Sequence, residues 1–130
     1  MMEEALRTLL VADPTLGALV APGSIVWNHL PQATPRPAIV LFRISGAPGV
    51  TMQGSDGLIN GTVQIDVQAH SVTEMWAIRD ALSGLLHGHR DATLTGIFFL
   101  SERQSAEPLG DNLLIHRCSM DFDVWARAAA

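Results

Sequence analysis

The chain contains no lysine; all eight of its cations other than histidine are arginine. That removes a Schiff-base lysine and a phosphate-loop lysine in one step. Cysteine occurs once, at Cys118, so an intrachain disulfide is excluded and a zinc site would have to rely on histidine and carboxylate. Cys118 lies in an alternating stretch and reads as a small buried hydrophobe on a strand rather than a reactive thiol. Apolar residues make up 48% of the chain, yet no uninterrupted apolar run approaches the ~20 residues of a membrane-spanning helix. The opening "MMEEALRTLL" lacks the basic segment of a secretory signal, and the expectation is a soluble protein made in a cytoplasm. Positive charge is scarce as well. A net charge of −5 argues against a nucleic-acid gripper, which needs a basic footprint to displace counterions.

What is present points to one compact domain over residues 1–130, long enough to bury roughly two-thirds of its unfolded surface. In "MEEALRTLLVA" (Met2–Ala12), Leu6, Leu9 and Leu10 form an apolar stripe, and Glu3 and Glu4 suit the positive end of a helix. Asp13 caps a short second helix with Pro14 at its first position. "SIVWNHL" reads as a short strand, and the three prolines of "PQATPRP" (Pro31–Pro37) as an extended connector. "AIVLFRIS" (Ala38–Ser45) reads as a strand covered on both faces. "GAPGVTMQGSDG" (Gly46–Gly57) reads as a long glycine-punctuated loop, a hairpin arm of a length that is often functional.

A strand with period-two alternation follows. Gly61, Val63, Ile65, Val67 and Ala69 point one way; Thr62, Gln64, Asp66, Gln68 and His70 point the other. Ser71-Val72-Thr73-Glu74 fits a capping box that starts a helix. Met75, Ile78, Leu82, Leu85 and Leu86 share that helix's apolar face, and Gly88 stands where a left-handed cap would stop it. Trp76 lies off the apolar face, over the rim of its own domain or against a second subunit. "TLTGIFFLSER" is a further strand, "AEPLGDN" a turn, and "LLIHRCSMDFDVWARA" a long last strand. On that strand Leu114, His116, Cys118, Met120, Phe122 and Val124 oppose Ile115, Arg117, Ser119, Asp121, Asp123 and Trp125. The fold class expected is α+β: a mostly antiparallel sheet with two main helices packed on it.

Chemical constellations are weak. His87 and His89 suit the C-terminal carbonyls of the marked helix, and His29, His70 and His116 are spread over three strands, so no metal site and no cofactor is expected. No G-x-S-x-G elbow is present. Asp121 and Asp123 share a strand face, with Asp66 on the polar face of another, but they alternate with Ser119 and Arg117 as on an open or channel-facing surface, not in a glycosidase cleft. No catalytic residue is assigned.

The blocks "EEALRTLLVADPTLGALV", "IVWNHLPQATPRPAIVLFRISG", "VQIDVQAHSVTEMWAIRDAL" and "MDFDVWAR", in this order, resemble the tail-completion or tail-terminator proteins of long-tailed phages, prophages and gene transfer agents. The resemblance covers nearly the whole length. It implies a non-enzymatic virion protein at the head–tail junction, assembled in the host cytoplasm with no membrane partner. It also implies a homo-oligomer, usually a hexamer ring, that caps the tail tube and joins it to the head-side connector or stopper protein. DNA would pass through that ring without specific binding. A weakly acidic subunit without lysine suits a slippery lumen, with Asp66, Asp121 and Asp123 as lumen-facing candidates. Strand edges, Trp76 and the arm residues Val50, Thr51, Met52 and Gln53 are candidates for subunit or tube contacts, since a closed ring needs two unlike surfaces per subunit. Gln68 and the absence of tyrosine depart from the family's habit. A small cytoplasmic α+β hydrolase and a monomeric binding module are the alternatives.

Overall fold

A computed structural model describes residues 2–31, 34–51, 54–108 and 114–127, with backbone only at 45–51 and 54–57. Helix α1 (Met2–Ala12) and the single-turn α2 (Pro14–Gly17) open the chain. Asp13 Oδ2 accepts from the Leu16 amide at 2.9 Å, so the cap and the proline just inside it act as the sequence implies. A 3-10 turn at Pro22–Ser24 leads into strand β1 (Ile25–Trp27). Strands β2 (Ala38–Thr51) and β3 (Gly54–Ala69), helix α3 (Val72–Leu86), and strands β4 (Leu94–Pro108) and β5 (Leu114–Arg127) follow.

The five strands form one sheet in the order β1-β2-β3-β5-β4. The β2–β3, β3–β5 and β5–β4 pairings are antiparallel, and β1–β2 alone is parallel. The sheet is therefore mixed but mostly antiparallel. Because β5 runs opposite to both its neighbours, β3 and β4 run the same way, and α3 carries the chain from one to the other across the face of β5.

Three elements differ from expectation. The first strand is shorter than "SIVWNHL". Asn28 adopts a left-handed φ of 65°, a conformation asparagine tolerates better than most residues. Its amide donates to Leu41 O at 2.8 Å, closing the pairing with β2 as the chain turns away. The segment Gly46–Gly57 is not a loop: its backbone continues the β2–β3 ladder through Val50↔Ser55 and Thr51↔Gly54. Strand β4 also runs on through Ala106, Glu107 and Pro108, which the turn signal "AEPLGDN" had assigned to a turn.

Helix α3 is delimited as its sequence implies. Ser71 Oγ accepts from the Glu74 amide at 3.1 Å, while Glu74 Oε1 reaches back to the amide of His70, one residue before the cap, at 3.0 Å. The stop is Gly88 at φ 81°, whose amide donates to Ile97 O at 2.7 Å and ties the helix end to β4. Both helices pack on one face of the sheet. Leu6 and Leu10 of α1, with Met75, Ile78, Leu82 and Leu86 of α3, meet Val63, Ile65 and Val67 of β3 and Cys118, Met120, Phe122 and Val124 of β5 in a single apolar cluster. Phe99 and Phe122 cross edge to face there, with centroids 5.7 Å apart. The strand parity read from the sequence for β3 and β5 is that of the structure.

The polar sheet face and the candidate assembly surfaces

Opposite the helices, β3 presents Thr62, Gln64, Asp66 and Gln68, and β5 presents Arg117, Ser119, Asp121 and Asp123. The register sets them side by side as Thr62↔Asp123, Gln64↔Asp121, Asp66↔Ser119 and Gln68↔Arg117. The three lumen candidates therefore share one face. They do not sit on it as free charges. Asp66 is 8% exposed, and its Oδ1 accepts from Ser119 Oγ at 2.6 Å and Gln64 Nε2 at 3.0 Å. Its neighbour across the β2 ladder is the buried Val40, so the centre of this face is drier than an open sheet would be.

Asp121 Oδ2 accepts from Ser101 Oγ at 3.3 Å and pairs with Arg103 at 3.2 Å. Asp123 takes Asn60 Nδ2 at 2.7 Å on one oxygen and Trp125 Nε1 at 3.2 Å on the other. Gln68 accepts from Arg36 Nε at 3.0 Å, and Arg117 pairs with Glu107 at 2.9 Å. Arg36, Gln68, Glu107 and Arg117, with Pro108 and Ile115, line a cavity of about 40 Å³. Asn60, Ser101 and Arg103 were not singled out from the sequence. The alternation of their strands is the signal that could have found them.

Trp76 lies elsewhere, on the outer side of α3, 45% exposed, and its Nε1 donates to Gln104 on β4 at 3.2 Å. It spans the rim of its own fold and remains exposed. The backbone of Val50 and Thr51 pairs at the end of the β2–β3 hairpin; Met52 and Gln53 lie outside the described residues. Among the described residues the β3–β5 ladder stops at Leu58↔Arg127, and the hairpin continues beyond it.

His87, His89, Asp91 and Cys118 each have a structural partner. His87 does not face its helix carbonyls: its Nδ1 accepts from the Phe99 amide at 3.0 Å. His89 Nε2 lies 2.8 Å from Asp91 Oδ2, whose other oxygen accepts from the Thr93 and Leu94 amides at 2.7 Å each. Hydrogen bonding from His89 first, then from those amides, holds the Asp91 carboxyl below its usual value. Cys118 is fully buried, its Sγ 3.6 Å from Glu102 Oε2, and burial pushes the thiol up to about 12. Such a thiol carries no thiolate at neutral pH and is inert. Among the described residues no group of three or more His, Cys, Asp or Glu could hold a metal ion, and no helix is long and apolar enough to cross a membrane.

The acids and cations of the polar face chiefly bond to side chains of neighbouring strands. Residues 4–128 match the family described as tail completion protein gp17, and the chain belongs to that family. It is thus a structural protein of a virion tail, acting in tail completion at the join with the head. A chain in the structure titled "Virion of native gene transfer agent (GTA) particle" has the same fold: the TM-score is 0.67 at 21% identity, covering 93% of this chain and 90% of that one. No curated protein matches the chain.

Proposed function

We propose that the chain is a tail terminator: copies close into a ring, hexameric as the resemblance implies, that caps the tail tube and joins it to the head-side connector. The observation that carries this reading is the family match over residues 4–128. The polar face supports it physically. Arg36, Arg103 and Arg117 stand there against Asp66, Glu107, Asp121 and Asp123, and the ion pairs Arg103–Asp121 and Arg117–Glu107 close within the face. A wall of that kind, turned to the lumen, offers DNA neither a basic grip nor a bare acidic barrier. The β2–β3 hairpin, which among the described residues ends at Val50 and Thr51, and the exposed Trp76 are the surfaces for the tube or a neighbouring copy, with Met52 and Gln53 as further candidates from the sequence. Assembly takes place in the host cytoplasm, and DNA passes through the finished ring unbound.

Electron microscopy of particles made without this chain tests the reading. Expected are separate filled heads and tails, the tails irregular in length. Joined particles with tails of normal length would overturn it.

A further inference from the structure

The ladder geometry points to where one copy meets the next, and this rests on the ring reading above: we infer that the β4 edge of one subunit adds in antiparallel sense to the β2 edge of its neighbour. Strand β4 ends the sheet order and, among the described residues, has no strand on its outer side. On the other end β1 covers β2 only at Ile39–Leu41, so the outer side of β2 is uncovered by any described strand from Phe42 onward. Two such rows of backbone donors and acceptors are templates for pairing.

The side chains on the two rows match. The β2 ladder breaks register between Arg43 and Ser45, and the β4 ladder between Phe99 and Ser101. In each break the extra residue is a large aliphatic, Ile44 and Leu100, both 54% exposed, and Phe98 near Leu100 is 46% exposed. These are three of the five exposed large hydrophobic residues among the described ones. Charge agrees with shape. Arg43, which also pairs with Glu3, and Glu102, 3.8 Å from Arg79, both turn to the helix side, opposite Val63 and Met120. Setting Arg43 opposite Glu102 keeps the two faces continuous and brings Ile44 and Leu100 within one residue of each other.

Strand direction selects the partner. Strands β2 and β4 run in opposite senses within a subunit, and rotation about an axis along the strands preserves each sense. The β4 of one copy therefore meets the next copy's β2 antiparallel, and the contact repeats until it closes. Pairing β4 with β4 would stop at a dimer and leave both β2 edges open. A ladder of this length buries less than the roughly 800 Å² per partner of a standard interface, so one junction is weak and closure stabilises it.

The test is a cysteine pair, Ile44→Cys with Leu100→Cys, in rings on tails, oxidised and separated without reductant; the buried Cys118 stays silent. The double variant should give a ladder of covalent species ending at the ring size, and each single variant monomer alone. Intact rings by microscopy with only monomer on the gel overturn the junction and leave the ring reading standing. Dimers from Leu100→Cys alone assign the edge to β4–β4 pairing, and cross-links to the tube protein assign it to the tube; either overturns the inference. Tails on which no ring is found remove the ring reading and the junction with it.

Discussion

Asp66 illustrates how far a residue's role depends on its neighbours. Its carboxylate is 8% exposed and holds Ser119 and Gln64 across and along the strands. Replacing it by alanine strands the Ser119 hydroxyl and the Gln64 amide in a nearly dry setting, at a cost of roughly 1–3 kcal/mol. Urea midpoints measure that loss, and an unchanged midpoint would show these bonds to be dispensable. The period-two pattern of "GTVQIDVQAH" revealed which way Asp66 points. It could not reveal the depth, which comes from the strand on its other side and the buried Val40 there. Asp91 gives a pH signature. Its carboxyl is held below the usual aspartate value of about 3.9, so the folded state binds its proton less readily than the unfolded state. The stability it contributes is full above that usual value and drains away as pH falls through the lower folded value. Asp91→Asn, which keeps an oxygen for the Thr93 and Leu94 amides, should be less stable than the parent at pH 7, with the gap closing toward pH 3. Chemical denaturation at a series of pH values checks the sign; a gap that widens on acidification would contradict it.

At the scale of elements, α3 was legible almost to the residue because its signals are local. Ser71 and Glu74 act on amides a few positions away, and Gly88 supplies the positive φ that ends the helix, so their sequence spacing already specifies the geometry. Ser71→Ala should cost about 1 kcal/mol, and Gly88→Ala roughly 1–2 kcal/mol for placing a Cβ at φ 81°. Gly84 is the contrast: it lies within the helix, and a methyl group there would meet nothing within 4 Å. Gly84→Ala should stabilise the chain by about 1 kcal/mol. Thermal unfolding should therefore place Gly84→Ala above the parent and the other two below it, Gly88→Ala lowest. The ends of β2, β3 and β4 were illegible for the converse reason. Glycine and proline at 46–57 and Pro108 disfavour strand locally, and the opposing strand overrides them. Arg117 pairing with Glu107 across the β4–β5 ladder is one such non-local contact, invisible until the register is known.

At the scale of the whole molecule, the sequence's net charge of −5 suggested an acidic lumen, and the structure reallocates that charge. On the sheet face opposite the helices the named acids nearly balance the arginines, and what distinguishes the face is that its cations are engaged by carboxylate or amide oxygens. If that face lines the channel, the decisive property is that none of its cations among the described residues is free, not an excess of anion. Thr62 and Ser105 lie on the same face, opposite Asp123 and Arg117, and Ser105 is exposed. Thr62→Arg with Ser105→Arg leaves the existing pairs in place and adds two guanidinium groups per subunit, repeated around the ring. Phosphates passing such a collar would be held by counterion release, an attraction that weakens steeply as salt rises. Particles carrying the double variant should therefore assemble normally but release DNA more slowly than the parent at low ionic strength, with the difference shrinking at high salt. The same pair placed on the outer side of α3, at Thr73 and Ala77, should leave release unchanged. Equal release rates for the face variant and this control, in particles whose rings are intact, would put the polar face outside the DNA path.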